Sequence, residues 1–370
     1  MAYQDYNSIE MIQLAKPFIG AEEKEAVCKV LDTGFIVSGE IVTEFEERFA
    51  SYNGTKHGIA TTSGTTALET AMRALGIGPG DKVLTTPFSF IASANSIIYT
   101  GAEPVFADVD PETFSMDPEK ADEVLRNTSG IKAILVVHLF GRSCDMDAFK
   151  ELAERYKVFL IEDCAQSHGA VWNGRKTGSF GDISCFSFYA TKNMTTGEGG
   201  MVLTDSDVLS KKCRMLINHG MEVRYYHDEI GHNYRMTNIA GAIGLCQLDK
   251  LPYMNGKRKE IAEFYDTHID NEAIILPKPI DGHVYHQYTI RVGDGKRDAF
   301  VKHLEENRVG YGIFYPLTIP EQKCYSSYGF SLDYPAADML KTQVVSLPIH
   351  PGLTEDEIVR VAETVNSFNS

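Results

Sequence analysis

Between residues 55 and 205, short apolar runs alternate with longer stretches in which apolar residues return every three or four positions. The short runs are HGIAT (57–61), KVLTT (82–86), EPVFADV (103–109), AILVVHLF (133–140), VFLIED (158–163), DISCFSF (182–188) and GMVLT (200–204). Their β-branched and aromatic content reads as strands. The periodic stretches predict helices near 65–76, 91–100, 118–126, 146–156 and 206–216. Strand-helix alternation of this kind is the mark of an α/β fold, a mostly parallel sheet covered on both faces by helices. After about residue 250 the pattern changes. A helix near 239–250 and the basic run Lys257, Arg258 and Lys259 lead to YHQYTIRV (285–292), GYGIFYP (310–316) and a closing helix after Thr354. These suggest a smaller C-terminal α+β domain, with a large domain over 1–250 and a small one over 251–370.

Composition narrows the partners. A chain of 370 residues can bury a large core, and two domains are expected. Lys plus Arg number 35 against 51 for Asp plus Glu, a net charge of −16. Such a surface repels phosphate backbones, so no nucleic acid partner is expected. An anionic small substrate must then meet a local basic pocket. The seven cysteines, at 28, 144, 164, 185, 213, 246 and 324, are scattered and form no Cys-x-x-Cys pair. That favours reduced thiols and a cytoplasmic protein. No apolar stretch approaches membrane-spanning length, and the terminus MAYQDYNSIEM lacks a signal-peptide pattern. Metal binding is not expected either: His283 and His286 lie three apart in a strand-like run, which places them on opposite faces.

The chemistry concentrates in SCFSFYATKNMTTGEGG, residues 184–200. A strand delivers one lysine, Lys192, into a turn-forming stretch ending in Gly-Glu-Gly-Gly. An ordinary loop lysine stays charged at the surface. One held at the mouth of an apolar strand has its pKa lowered, leaving an amine that condenses with an aldehyde. Two other segments supply what a pyridoxal phosphate (PLP) site requires. In KVFLIEDCAQSHGA (157–170), Asp163 follows a buried strand, at the end where ligands of open α/β sheets gather. A carboxylate there keeps the cofactor's ring nitrogen protonated, whereas a solvated loop aspartate would do nothing. In TTSGTTALETAMRALGIGPGD (61–81), Ser63, Gly64, Thr65 and Thr66 precede or open a helix, an anion site suited to a phosphate. A plain N-cap is the simpler account of that serine and those threonines.

Together the three segments resemble the sugar aminotransferases of the DegT/DnrJ/EryC1/StrS family, which have the aspartate aminotransferase (type I PLP) fold. The resemblance extends from GFIVSGEIVTEFEERFA (34–50) through PFSFIASANSI (87–97), GAEPVFADVDPETFSMD (101–117) and GHNYRMTNIAGAIGLCQLDKL (231–251) to SLPIHPGLTEDEI (346–358). It implies that Lys192 bonds to the cofactor, that Asp163 partners the pyridine nitrogen, and that Gln166 orients the ring. Phe90 is similar to the aromatic that stacks on the cofactor's face, where plain core packing is the alternative. Gly64, Thr65 and Ser187 correspond to phosphate contacts. Asn233 resembles the residue that reaches the neighbouring subunit's cofactor phosphate, which implies a homodimer with shared active sites. Arg235 and Tyr315 are placed with the substrate.

The activity implied is a ping-pong transfer of an amine from glutamate to a nucleotide-linked keto sugar, with Lys192 moving the proton. KNMTTGEGG (192–200) resembles the loop of members that convert 4-keto-6-deoxy sugars to 4-amino sugars, with Thr195, Thr196 and Glu198 beside the lysine. The alternatives are a 3-keto sugar aminotransferase, a sugar dehydratase, in which histidine replaces the lysine, or a cofactor-binding regulator.

Overall fold

The apolar runs and periodic stretches fold largely where the pattern places them. In the computed structural model, residues 10–369 are described. The large sheet is built from β1 (His57–Thr61), β2 (Lys82–Thr85), β3 (Glu103–Phe106), β4 (Ile131–Val137), β5 (Phe159–Asp163), β8 (Ile183–Ser187) and β9 (Gly200–Thr204), in the order β1-β9-β8-β5-β4-β2-β3. A hairpin of β6 (Val171–Trp172) and β7 (Arg175–Lys176) interrupts the run between β5 and β8. Strands β3, β2, β4, β5 and β8 are mutually parallel, while β9 runs antiparallel to both β8 and β1. Central β4 is buried over its last five residues. At roughly 1.5–3 kcal/mol for each large apolar side chain buried, its Ile134, Leu135, Val136 and Val137 anchor both sheet faces.

Helices α1 (Ala21–Thr33) and α2 (Glu40–Asn53) precede the sheet, and α3 (Gly64–Ala74), α4 (Ala92–Tyr99), α5 (Pro118–Asn127), α6 (Met146–Tyr156) and α7 (Asp207–Leu216) follow its strands. Helix α3 packs Ala67, Leu68, Ala71 and Met72 against Ile59, Ile161, Cys185 and Val202 of one sheet face. On the other face Phe45 and Phe49 of α2 meet Phe186, Phe188 and Met201.

Helix α8 (Asn238–His268) is 31 residues long, against the expected 239–250. Pro252 lies inside it and removes one backbone hydrogen bond, a loss of about 3 kcal/mol in an exposed helix. Burial of Leu251, Met254, Ile261 and Tyr265 outweighs that loss. The first half of α8 packs on α1 and α2, and its second half joins the core of a three-stranded sheet. That sheet comprises β10 (Ile274–Ile275), β11 (Tyr288–Val292) and β12 (Val344–Leu347), all antiparallel, with α9 (Arg297–Glu306) and α11 (Glu355–Asn366) against it. The amino-terminal segment also belongs to this core, because Ile12 is fully buried there and exchanges backbone hydrogen bonds with Arg308 and Gly310. Conversely, α10 (Pro335–Gln343) and the residues before it cover the large sheet, placing Ile319, Tyr334 and Leu340 beside Phe88, Phe106 and Phe140.

Two segments of the smaller α+β region are irregular in part or throughout. YHQYTIRV is a strand only from Tyr288 onward; Tyr285 takes a positive φ of 45°, and buried Arg258 donates to the carbonyls of Tyr285 and His286. Among the described residues, GYGIFYP forms no strand; it meets the small sheet at a bridge from Gly312 to Ser346, and its Tyr311 packs on that sheet's core. All seven cysteines are free. Among the described residues no helix is long and apolar enough to cross a membrane. The signal-peptide reading concerns residues 1–11, of which 1–9 lie outside the described residues.

Candidate active site

The carboxyl ends of β5 and β8 and the amino end of α3 meet at a cavity of about 590 Å³, within the range of small-molecule sites. Eight of the expected site residues line it: Gly64, Thr65, Phe90, Asp163, Gln166, Ser187, Lys192 and Tyr315. Each arrives for a local reason. Parallel β5 and β8 end in register, with Asp163 opposite Cys185, so Asp163 and Ser187 emerge on the same edge. Ser63 caps α3 by accepting from the Thr66 N–H at 3.2 Å. That leaves the N–H groups of Gly64 and Thr65, which have no intrahelical acceptor, at the cavity wall. Only glycine fits at 64, since a Cβ there would lie 2.6 Å from the Ser187 Cβ.

Asp163 is 5% exposed. One carboxylate oxygen accepts from Ser93 Oγ at 2.9 Å and the other from the Ala165 N–H at 3.1 Å. Burial pushes its carboxyl up; these two donors and the Lys192 charge pull the other way without cancelling it. A cation on its open side is what such a carboxylate lacks. Lys192 follows β8 in a turn. Enclosure pushes its amine down to about 8 from the ordinary 10.5, and the Asp163 charge opposes that fall. Gln166 is fixed at both ends of its amide. Oε1 accepts from the Phe140 N–H at 2.7 Å, and Nε2 donates to the Tyr315 hydroxyl at 3.2 Å. Phe90 is 56% exposed and its ring lies 6.3 Å from that of Tyr315, so it is a cavity wall rather than core packing.

Asn233 and Arg235 do not line this cavity. Asn233 is exposed on a segment that bridges to Asn218, and Arg235 Nη1 donates to Asn218 Oδ1 at 2.5 Å. Thr195 and Thr196 are buried away from the cavity. Their hydroxyls donate to the Phe188 and Glu198 carbonyls, so they shape the lysine turn, and of the three loop residues only Glu198 reaches the cavity.

Sequence reading missed several contributors. Ser93 sits in the FIASANSI segment with no signal beyond its polarity at a helix start. Leu14 and Ala15 come from the amino-terminal segment, and His286 and Gln287 from the approach to β11. Glu162, a charge inside an apolar strand, was a visible signal. It accepts from the N–H groups of Gly178, Phe180 and Gly181 and pairs with His138 at 3.0 Å. Burial acts to raise its pKa, and these donors outweigh burial and lower it. Cys164 brings a third ligand-type atom within 4.8 Å, but both His138 nitrogens and both Glu162 oxygens already have partners, so the cluster ties strands together. His283 and His286 face different places, a small groove beside Arg142 and the main cavity.

The cavity fits PLP: an anion cradle at Gly64, Thr65 and Ser187, a buried carboxylate for a ring nitrogen, and an amine lining the same cavity. Comparison with known proteins agrees. GDP-perosamine synthase of Caulobacter vibrioides is 40% identical over 366 residues, covering 96% of this chain and 97% of that protein. The dTDP-3-amino-3,6-dideoxy-alpha-D-galactopyranose transaminase of Aneurinibacillus thermoaerophilus is 39% identical and covers 94% and 95%. Among solved structures, the PLP form of Spr1654 of Streptococcus pneumoniae superposes with a TM-score of 0.91 at 28% identity, covering 96% of this chain and 98% of that one. The model of the DegT/DnrJ/EryC1/StrS aminotransferase family matches residues 17–366, and the chain belongs to that family as a PLP-dependent nucleotide-sugar aminotransferase.

Proposed function

We propose that the protein moves an amine from glutamate to C4 of a 4-keto-6-deoxy sugar linked to GDP, in a ping-pong cycle run by a homodimer. The observation that carries the reading is the convergence of Lys192 and Asp163 on one cavity with an anion cradle at its edge. Bound PLP supplies the electron sink that stabilises negative charge at the reacting carbon. Lys192 would act as the base and acid of the reaction, moving a proton between the substrate's α carbon and the carbon on the far side of the amine nitrogen. A base poised near 8 is close to neutral pH, which favours transfer in both directions. Asp163 holds the proton on the ring nitrogen, and Ser93 and the Ala165 N–H hold Asp163. Gln166, held by Tyr315, would orient the ring, and Phe90 would stack on it.

The likeness to proteins named GDP-perosamine synthase supports the nucleotide, and the KNMTTGEGG loop supports C4. The relative that makes a 3-amino sugar favours a second reading, transfer to C3. Paired 3-keto and 4-keto isomers on one nucleotide, assayed with glutamate and read by product mass and NMR, separate the two. The 4-keto isomer is expected to react faster, because transfer requires the keto carbon at about 3–3.5 Å from the amine and a sugar turned by one position leaves it out of reach. Preference for the 3-keto isomer would move the reaction to C3.

Asn233 supports the dimer. It is exposed and away from its own cavity, in a segment that also exposes Val223, Tyr225, Tyr226 and Ile230. In the proposed dimer Asn233 completes the partner's phosphate site, and closed two-fold symmetry is the commonest assembly. Mixed Lys192→Ala and Asn233→Ala subunits are expected to regain activity, since each hybrid rebuilds one intact site. Verified hybrids without activity would mean that each site is built from one chain.

A further inference from the structure

Asn193, immediately after Lys192, binds a histidine that no step above uses. Asn193 is 2% exposed, and its Nδ2 donates to the Val284 carbonyl and to Asn255 Oδ1, both at 2.9 Å. Asn255 Nδ2 in turn donates to the His168 carbonyl at 2.8 Å. Backbone carbonyls only accept, so they fix the direction of both amides, and Asn193 Oδ1 must be an acceptor. Its partner is His286 Nδ1 at 3.1 Å, which therefore carries the hydrogen.

That assignment leaves His286 Nε2 with a bare lone pair. Among the described residues nothing hydrogen-bonds to Nε2, yet it is not sealed in, and the side chain forms part of the cavity wall. Its surroundings keep the ring neutral: burial lowers the pKa well below 6.5, and Lys192, Arg258 and His168 add to the effect. Buried Arg258 also donates to the carbonyls of Tyr285 and His286, fixing the backbone on which the ring stands.

A lone pair held in this way selects its ligand by chemistry. Glutamate offers two carboxylates, both acceptors, and an amine that is consumed in the reaction. A sugar offers hydroxyl donors. His286 also enters from the approach to the small sheet, whereas the cofactor groups stand on the strand ends of the large one. We propose that His286 is a specificity-determining residue whose Nε2 accepts a hydrogen bond from a hydroxyl of the sugar being aminated, with Asn193 as the positioning residue that sets its tautomer.

This role rests on the sugar-aminotransferase reading above. The test measures binding to the PLP-loaded enzyme, which holds a keto sugar without turning it over because no amine is present on the cofactor. Dissociation constants are taken by calorimetry for GDP and for GDP-4-keto-6-deoxymannose, and for the dTDP pair if the wild type prefers it. Against the wild type, His286→Phe is expected to weaken the nucleotide sugar by roughly 10- to 100-fold, the worth of one hydrogen bond made in a desolvated site. The nucleotide alone is expected to bind His286→Phe as it binds the wild type, which also reports a folded protein. His286→Gln keeps an acceptor at similar reach and is expected to recover most of the loss. Equal weakening of nucleotide and nucleotide sugar, an unchanged sugar affinity, or a glutamine variant no better than phenylalanine would each overturn the role of His286. A wild type that binds none of the nucleotide sugars overturns the functional reading itself, and the role of His286 with it.

Discussion

Lys192→Ala is expected to lose transamination by about 10⁴-fold or more, since general acid–base catalysis alone contributes 10² to 10⁴ and the covalent anchor goes with it. Cofactor is expected to remain bound through the cradle of Gly64, Thr65 and Ser187, so the variant separates binding from chemistry. Borohydride treatment of the wild type followed by peptide mass mapping is expected to place the pyridoxyl group on Lys192; recovery on another lysine would remove it from this role. The pH dependence carries a sign. The folded amine titrates at about 8 instead of 10.5, so below that pH it is an ammonium and cannot attack an aldehyde, and above it the free amine predominates. Capture of PLP by protein stripped of cofactor is therefore expected to accelerate as pH rises through about 8 and then level off. Acceleration that continues to pH 10 would mean that the cavity does not shift this lysine.

Asp163→Asn is expected to cost on the order of 10² to 10⁴ in rate, the range for losing a charge partner of a proton in the reaction. Asparagine keeps the shape and one acceptor, so the contact with the Ala165 N–H or Ser93 survives while the charge does not. Both half-reactions use the same ring proton, so both are expected to slow. That pattern differs from a substrate-binding defect, which would appear in one half-reaction and in KM. Single-turnover absorbance changes with glutamate and with keto sugar read the two separately. Wild-type rates in Asp163→Asn would require another residue to hold the proton.

The large sheet was legible because its strands are continuous apolar runs whose ends carry the chemistry. All seven expected runs contain strands, and Asp163, Ser187 and Lys192 stand at the cavity on that logic. The small sheet was harder. Arg258, read as part of a basic run, lies buried in α8 and turns the 285–287 backbone out of the strand that its composition suggests. Thr195 and Thr196 stand beside the lysine in the sequence, where polarity suggests contact with substrate. Their hydroxyls are spent on the loop's own carbonyls, a local competition that composition does not reveal. Ser93 with Asp163, and Asn193 with His286, join residues 70 and 93 positions apart. Pairings of that separation arise only when the sheet closes, and periodicity along one chain carries no trace of them.

Helix α8 gives the molecule a common beam. Asn255 on it holds Asn193 beside the lysine, Gln247 about two turns earlier accepts from the Thr195 N–H of the same loop, and Tyr265 near its far end is locked in the other core. A seam that opened between the two sheets would have to bend this beam or drag the lysine turn with it. The two cores are thus mechanically in series with the reacting amine, and melting is expected to be one cooperative event in which lysine geometry and small-sheet packing vanish together.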